Sequence, residues 1–111
     1  MIDYKRIPAN TIETLAAWIT DARPVGSFCE AVIRNNLREA VSRADPHNRQ
    51  ALPEIVTWMC NYAPLGSWGS AEVLETWPAF LKGDEPYRRH PNFEAHLREI
   101  REFARRVNSQ K

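Results

Sequence analysis

The sequence predicts an all-α protein: a single-domain bundle, residues 1–111, in which about five helices surround a buried central helix. Two observations predict this class. Apolar residues recur three or four positions apart in every long segment, and no segment shows the strict alternation of a β-strand. A chain of 111 residues suits one hydrophobic core, and 43% hydrophobic with 26% charged residues is typical of globular proteins.

The central helix of this prediction runs from Leu52 to Ala63. Its apolar residues cover most of the circumference, and only Glu54, Thr57 and Asn61 interrupt them. A helix that is apolar on most sides is normally enclosed by its neighbours. We therefore expect the other helices to pack around it.

Two helices are predicted before the central one, after an extended lead-in at residues 1–9. The first covers residues 11–22, with Asn10 as N-cap and Glu13 completing a capping box. The second covers residues 27–44, with Ser27 as its cap. Asn36 falls inside the apolar arc of this second helix, and an unpartnered amide there would cost about 1–3 kcal/mol. Asn36 should therefore be hydrogen-bonded, either for structure or for contact with a partner.

The segment around the central helix contains two prolines whose effect the sequence leaves open. Asp45 can cap a short helix before Pro53, so residues 46–63 form either one kinked helix or two pieces. Residues 64–70 form a loop, and Ser70 is the predicted cap of a fourth helix, which Gly83 closes. Pro78 lies inside that helix and predicts a kink or a break.

The last helix begins near Pro91 or Asn92, after a polar loop at residues 83–91. Its outward side is expected to pair Glu94 with Arg98 and to pair acidic with basic residues again one turn later, at Glu102 and Arg106. Its inward residues share one apolar stripe: Phe93, His96, Leu97, Ile100, Phe103, Ala104 and Val107.

The chain contains two cysteines, Cys29 and Cys60, and both lie on predicted apolar helix faces. We expect reduced, buried thiols, which indicate a cytoplasmic protein. No apolar run has the length needed to span a membrane, and the N-terminus lacks the apolar core of a signal peptide.

No catalytic or metal-binding motif is apparent in the sequence. The cysteines and the three histidines are scattered, without the close pairing that metal sites use, and no glycine-rich phosphate loop is present. His96 on an apolar stripe is read as a satisfied core histidine, with a general base as the alternative. The sequence therefore predicts a non-enzymatic protein without metal or cofactor.

Trp68, between small residues in GSWGS, has two interpretations. It either folds back onto the core as a lid, which the usual burial of tryptophan favours, or it is an exposed anchor for a partner. Under the second interpretation, the partner-binding residues are Trp68 and three residues of the polar loop: Tyr87, Arg88 and Arg89.

Residues 82–111 carry eight basic and five acidic side chains, so the C-terminal third is mildly basic. The arginines of the last helix could contact nucleic-acid phosphates, and these candidates are Arg98, Arg101, Arg105 and Arg106. The glutamates between them favour an ordinary solvated face instead.

Residues 24–70 resemble a group of small, largely uncharacterised proteins encoded by bacteriophages and other bacterial mobile elements. The resemblance rests on PVGSF, AVIRNNLREA, RADPHNR and NYAPLGSWGS. Asn36 stands where members often have aspartate, and Ser67 where they often have cysteine. The resemblance implies a small protein that binds a larger host protein, such as a defence component, including CRISPR effectors.

Two functions follow as hypotheses. The first is a non-enzymatic protein of phage or mobile-element origin that binds and inhibits or modulates a host protein complex, as an anti-CRISPR inhibitor would. The alternative is a small nucleic-acid-binding protein that uses the basic last helix. The chain is expected to be a monomer or a homodimer in which a helix continues its core across a two-fold axis.

Overall fold

The computed structural model describes residues 2–83 and 85–111; Met1 of the predicted lead-in and Asp84 of the predicted polar loop lie outside them. Within the described residues there is no strand, which agrees with the predicted all-α class. A 3-10 helix spans Tyr4–Arg6, followed by α1 (Ala9–Asp21), α2 (Ser27–Ile33), α3 (Leu37–Arg43), α4 (Pro46–Gln50), α5 (Leu52–Tyr62), α6 (Val73–Lys82) and α7 (Pro91–Ser109). The radius of gyration is 13.6 Å, against about 13 Å expected for a compact domain of this length.

The described residues form seven α-helices rather than about five, partly because the second predicted helix is divided at Asn35 and Asn36. Asn35 adopts the left-handed conformation (φ 58°), which asparagine tolerates better than most residues. Asn36 then caps α3, because its side-chain oxygen accepts a hydrogen bond from the Glu39 amide at 3.1 Å. The prediction of a continuous helix is wrong, and the role of Asn36 in the fold is structural.

Pro53 and Pro78 have different effects on the helices around them. Before Pro53 the chain forms a separate short helix, α4, and Asp45 caps it as predicted by accepting from the Asn48 amide at 2.8 Å. Pro78 instead remains inside a continuous α6. The residue before it, Trp77, is buried and donates from its indole to the Ile19 carbonyl at 3.1 Å. This packing holds α6 in place across the proline.

Three of the predicted N-caps are wrong. Asn10 lies within the first turn of α1, because Pro8 is the N-cap and its carbonyl accepts from the Thr11 and Ile12 amides. Ser27 is the first helical residue of α2 rather than its cap. The helix assigned to Ser70 begins later, at Val73. A side-chain cap contributes only about 1 kcal/mol, so burial of apolar residues can move the start of a helix to either side of a residue that could cap it.

Helix α1 contacts both α2 and α7, and its residues Ile12, Leu15 and Ile19 are fully buried. α7 runs along α1 and buries most of its predicted stripe, while His96 and Phe103 are half-buried. The other five stripe residues are buried: Phe93, Leu97, Ile100, Ala104 and Val107.

Helix α5, the predicted centre, is buried along one side only. Ile55, Trp58 and Met59 are fully buried, whereas Cys60 and Asn61 are exposed. The predicted burial of Cys60 is therefore wrong, because no described helix covers that side of α5 at this position. The buried thiol is Cys29 alone, and its burial raises its pKa to about 12.

The 3-10 helix lies across the ends of α5 and α7. Tyr4 makes edge-to-face contacts with Tyr62 and Phe103, with ring centroids 5.9 and 5.6 Å away. Its hydroxyl also accepts a hydrogen bond from the Asn61 amide group at 3.0 Å. The N-terminal segment thereby joins two helices that meet again at the surface described next.

Candidate protein-binding surface

Residues 64–69, which follow α5, form a loop that is tied to the core at two points. The Trp18 indole donates to the Ser67 carbonyl at 2.8 Å, and the Gly69 amide donates to the Ile33 carbonyl at 2.7 Å. Ser67 itself is fully buried, and its hydroxyl donates to the Pro64 carbonyl at 2.6 Å. The 64–69 loop is therefore held against α1 and α2.

The division of α2 from α3 makes one of these ties available. In a continuous helix the Ile33 carbonyl would accept from the amide four residues later, at Leu37. Because α2 ends at Ile33, that carbonyl is free to accept from Gly69 instead. The cap at Asn36 and the anchoring of the 64–69 loop thus belong to one local arrangement.

Trp68 is half-buried and packs against the hydrophobic core, where the lid interpretation expects it. The apolar residue that this loop presents to solvent is Leu65, which is fully exposed (101%). Leu65 was not among the predicted contact residues, because the size of Trp68 made that residue the candidate anchor of the loop. The available signal was its position between Pro64 and Gly66, outside any helical stripe.

Residues 85–90 form a second loop, which presents Tyr87. This side chain is 64% exposed, although one side of its ring lies against Phe93, with centroids 5.2 Å apart. The loop is closed by backbone hydrogen bonds such as that from the Arg88 amide to the Glu85 carbonyl, at 3.0 Å. Tyr87 is thus the predicted contact residue that lies on an open surface and beside other aromatic rings.

The two predicted arginines of this loop lie in different surroundings. Arg88 is half-buried: its Nε donates to the Leu81 carbonyl at 3.0 Å, its guanidinium pairs with Glu94, and it lies 5.6 Å from the centre of the Phe93 ring. Arg89 is exposed. Glu94, expected to pair with Arg98, is instead the ion-pair partner of Arg88, which holds the 85–90 loop to α7.

The two loops meet at an open hollow of about 780 Å³, here called the loop hollow. This volume lies within the range of about 300–1,000 Å³ that ligand sites usually occupy. Among the residues that the structure describes, its lining is Pro64, Leu65, Tyr87, His90, Asn92, Phe93 and His96, and these include no lysine, arginine or carboxylate. The structure thus brings Leu65 and Tyr87, from separate loops, to the same concave surface, while Trp68 does not line it.

His96 lies at one end of the loop hollow. Its Nε2 is 2.8 Å from the Tyr62 carbonyl, and because a carbonyl can only accept, Nε2 carries the proton. Nδ1 then lies 4.0 Å from the Glu99 carboxylate. This half-buried imidazole is satisfied by the backbone on one side and faces a carboxylate on the other.

The arginines of α7 are divided between two sides of the helix. Arg101 and Arg105 line a hollow between α1 and α7 together with Arg23, but Glu13 and Asp21 line it too, and Asp21 is 3.5 Å from Arg101. The exposed Arg98 lies one turn before Arg101.

Arg106 lies on the other side of α7. Its guanidinium is 5.5 Å from the centre of the Phe103 ring, and the hollow beside it is also lined by Glu99 and Glu102. The four predicted arginines therefore do not form one patch.

Within residues 2–83 and 85–111, no three histidine, cysteine, aspartate or glutamate side chains are grouped so that they could hold a metal ion. None of the described helices is both long enough and apolar enough to cross a membrane. No known protein family, curated protein or solved structure matches this chain.

Proposed function

We propose that this chain is a non-enzymatic protein that binds a protein complex of a bacterial host and inhibits or modulates it. The observation that carries the proposal is the pairing of exposed Leu65 and exposed Tyr87 across one hollow whose described lining contains no lysine, arginine or carboxylate. The resemblance of residues 24–70 to phage and mobile-element proteins supplies the host setting, with defence complexes such as CRISPR effectors as the class of target.

The energetics of the surface support protein binding. Burying a leucine side chain on association contributes about 1.5–3 kcal/mol, and aromatic residues such as tyrosine dominate interface energies. Both side chains are presented by loops that are already held in place, so less conformational entropy is lost on binding. The proposed contact residues are therefore Leu65 and Tyr87, with exposed Arg89 at the edge and Trp68 as support behind the 64–69 loop.

Site-specific photo-crosslinking in host cells tests this proposal. A photoreactive phenylalanine analogue at position 87 or 65 should capture the same host protein, because both positions line one hollow. Position 37 is the matched control, since Leu37 is 65% exposed and Tyr87 is 64% exposed. Capture at 87 and 65 but not at 37 supports the proposal; a pattern identical at all three positions, or no capture at 87 and 65, contradicts it.

The nucleic-acid hypothesis remains as a second candidate because Arg23 joins Arg101 and Arg105 around one hollow. Each phosphate contact should contribute about 0.9 to the slope of log affinity against log salt for duplex DNA. Replacing Arg98, Arg101 and Arg105 with glutamine should therefore flatten that slope. Arg106→Gln, on the other side of α7, is the control, and equal effects of both sets of changes would exclude this surface.

A further inference from the structure

A second hollow, of about 370 Å³, meets the loop hollow at His96. From α7, it is lined by Glu99, Ile100, Glu102, Phe103 and Arg106 together with the shared His96, and Tyr62 of α5 completes it. The two hollows therefore lie end to end along α7; we call them together the α7 trough. From Asn92 to Arg106 the trough follows α7 for about 21 Å at 1.5 Å per residue.

The trough is lined by one strip of α7. Asn92, His96, Glu99, Phe103 and Arg106 recur at intervals of three or four residues, so they share one side of the helix. A long concave strip beside a straight helix fits a second helix, whose side chains can enter the grooves between those of α7.

The two ends of the trough differ in chemistry. The loop hollow has apolar walls, Leu65 and Tyr87, and its described lining contains two histidines but no carboxylate, lysine or arginine. At the other end, two carboxylates, Glu99 and Glu102, face a single guanidinium, Arg106, which lies over the Phe103 ring. That end therefore has a net negative charge, and the Glu99 side chain is 76% exposed.

We propose that the α7 trough binds an amphipathic helix of the partner protein, with apolar side chains between Leu65 and Tyr87 and a lysine or arginine facing Glu99 and Glu102. About two and a half helical turns separate the two anchor points, because Phe93 and Glu102 are nine residues apart on α7. This inference rests on the proposed function and names the partner's recognition element. The charge at one end selects the orientation of the bound helix, and the apolar end supplies the contact area.

The experiment is an affinity selection of random 16-residue peptides on the immobilised full chain. Enriched peptides should carry apolar residues three and four positions apart, with a basic residue about two and a half helical turns from them. Selection on the double variant Glu99→Lys, Glu102→Lys should enrich acidic residues at that position instead. No enrichment, or enriched peptides that are acidic or proline-rich on the unmodified chain, overturns the inference.

The selected peptides then serve as binding probes. Tyr87→Ala and Leu65→Ala should each weaken binding about tenfold or more, as expected for central contact residues. Leu37→Ala, at a residue that does not line either hollow of the trough, should leave binding unchanged. Equal binding to all three variants overturns the assignment of the site. If the double lysine variant used in the selection fails to fold, the double variant Glu99→Gln, Glu102→Gln replaces it.

Two results separate this inference from the proposed function. Photo-crosslinking of one host protein at positions 65 and 87, combined with failed peptide selection, would retain the proposed function and overturn the helical partner element. Sedimentation that shows a dimer dispersed by Tyr87→Ala would assign the trough to a second copy of this chain, which also overturns the inference.

Discussion

The two loops that form the hollow are held in different ways. The 64–69 loop is fixed by buried hydrogen bonds to residues far away in sequence, Trp18 and Ile33. The 85–90 loop is closed by its own backbone turns and by Arg88, whose partners lie within seven residues. One wall of the hollow is thus part of the core, whereas the other is a local structure supported partly by the half-buried ion pair of Arg88 and Glu94. Both walls are in place before binding, and we expect any adjustment on binding to be larger at the Tyr87 wall than at the Leu65 wall.

The largest expected effect comes from removing the buried hydrogen bond between the Trp18 indole and the Ser67 carbonyl. Trp18→Phe keeps a six-membered aromatic ring, but it leaves the Ser67 carbonyl without its donor and a small cavity in the core. The loss of the donor alone should lower the free energy of unfolding by about 1–3 kcal/mol. Urea denaturation measures this loss. Hydrogen exchange at the Gly69 amide should accelerate more than the loss of global stability explains, while exchange in the 85–90 loop should follow global stability alone.

Trp77→Phe is the matched control for that change. It removes a similar buried bond, from an indole to the Ile19 carbonyl at 3.1 Å, and although Trp77 shares a hollow with Leu65 and Gly66, the change leaves both hydrogen bonds that tie down the 64–69 loop intact. It should reduce stability comparably without selective acceleration at Gly69. If both variants accelerate Gly69 alike, the loop is not anchored by Trp18.

The second expected effect concerns the cap that leaves the Ile33 carbonyl free. Asn36→Ala removes the acceptor for the Glu39 amide and should cost about 1 kcal/mol of unfolding free energy. Without this cap the break between α2 and α3 is less stable, and with it the hydrogen bond from the Gly69 amide to the Ile33 carbonyl. Hydrogen exchange at the Gly69 amide should therefore also accelerate. Asn36→Asp retains a capping oxygen and should preserve both quantities; a loss in this variant equal to that in Asn36→Ala would contradict the cap assignment.

A smaller effect is expected at the locally held wall. Glu94→Gln removes the ion pair with Arg88 but leaves the Arg88 Nε bond to the Leu81 carbonyl in place. Because the Glu94 side chain is 44% exposed, the change should cost no more than about 1 kcal/mol after solvent screening. Raising the salt concentration should narrow the stability difference between this variant and the unmodified chain. Thermal unfolding at low and high salt measures it, and a difference independent of salt would show that the ion pair contributes little.

The smallest effect on folding is expected for the contact residue itself. Leu65→Ala should change stability by less than about 0.5 kcal/mol, because the side chain is fully exposed. Urea denaturation of Leu65→Ala beside Leu37→Ala checks this. A clear loss for Leu65→Ala would mean that Leu65 serves the fold rather than a partner.

The helices were most predictable where apolar stripes stand among charged residues. α7 begins at Pro91 as expected, because charged residues leave only one stripe that can be buried. The sequence was less informative at Asn36, where a polar residue inside an apolar arc marked a helix end rather than a buried amide. Cys60 lies on an apolar arc too, but periodicity cannot show how many neighbours surround a helix.

The candidate surface was only partly predictable. Tyr87 was expected on an exposed loop, and it is exposed. Its proximity to Leu65 depends on how α6 returns the chain across the bundle, and no local pattern encodes that return. Trp68 was the candidate anchor because of its size, whereas Leu65, in the same loop, is the residue left in solvent.

Helix α7 has two candidate binding flanks rather than one. Arg98, Arg101 and Arg105 share one flank, and His96, Glu99 and Phe103 share the other, with the buried stripe between Arg101 and Phe103. A ligand on one flank therefore leaves the other accessible. The geometry permits a ternary assembly in which α7 contacts two different molecules at once. In a competition experiment, a helical peptide and a nucleic acid should therefore bind independently rather than displace each other.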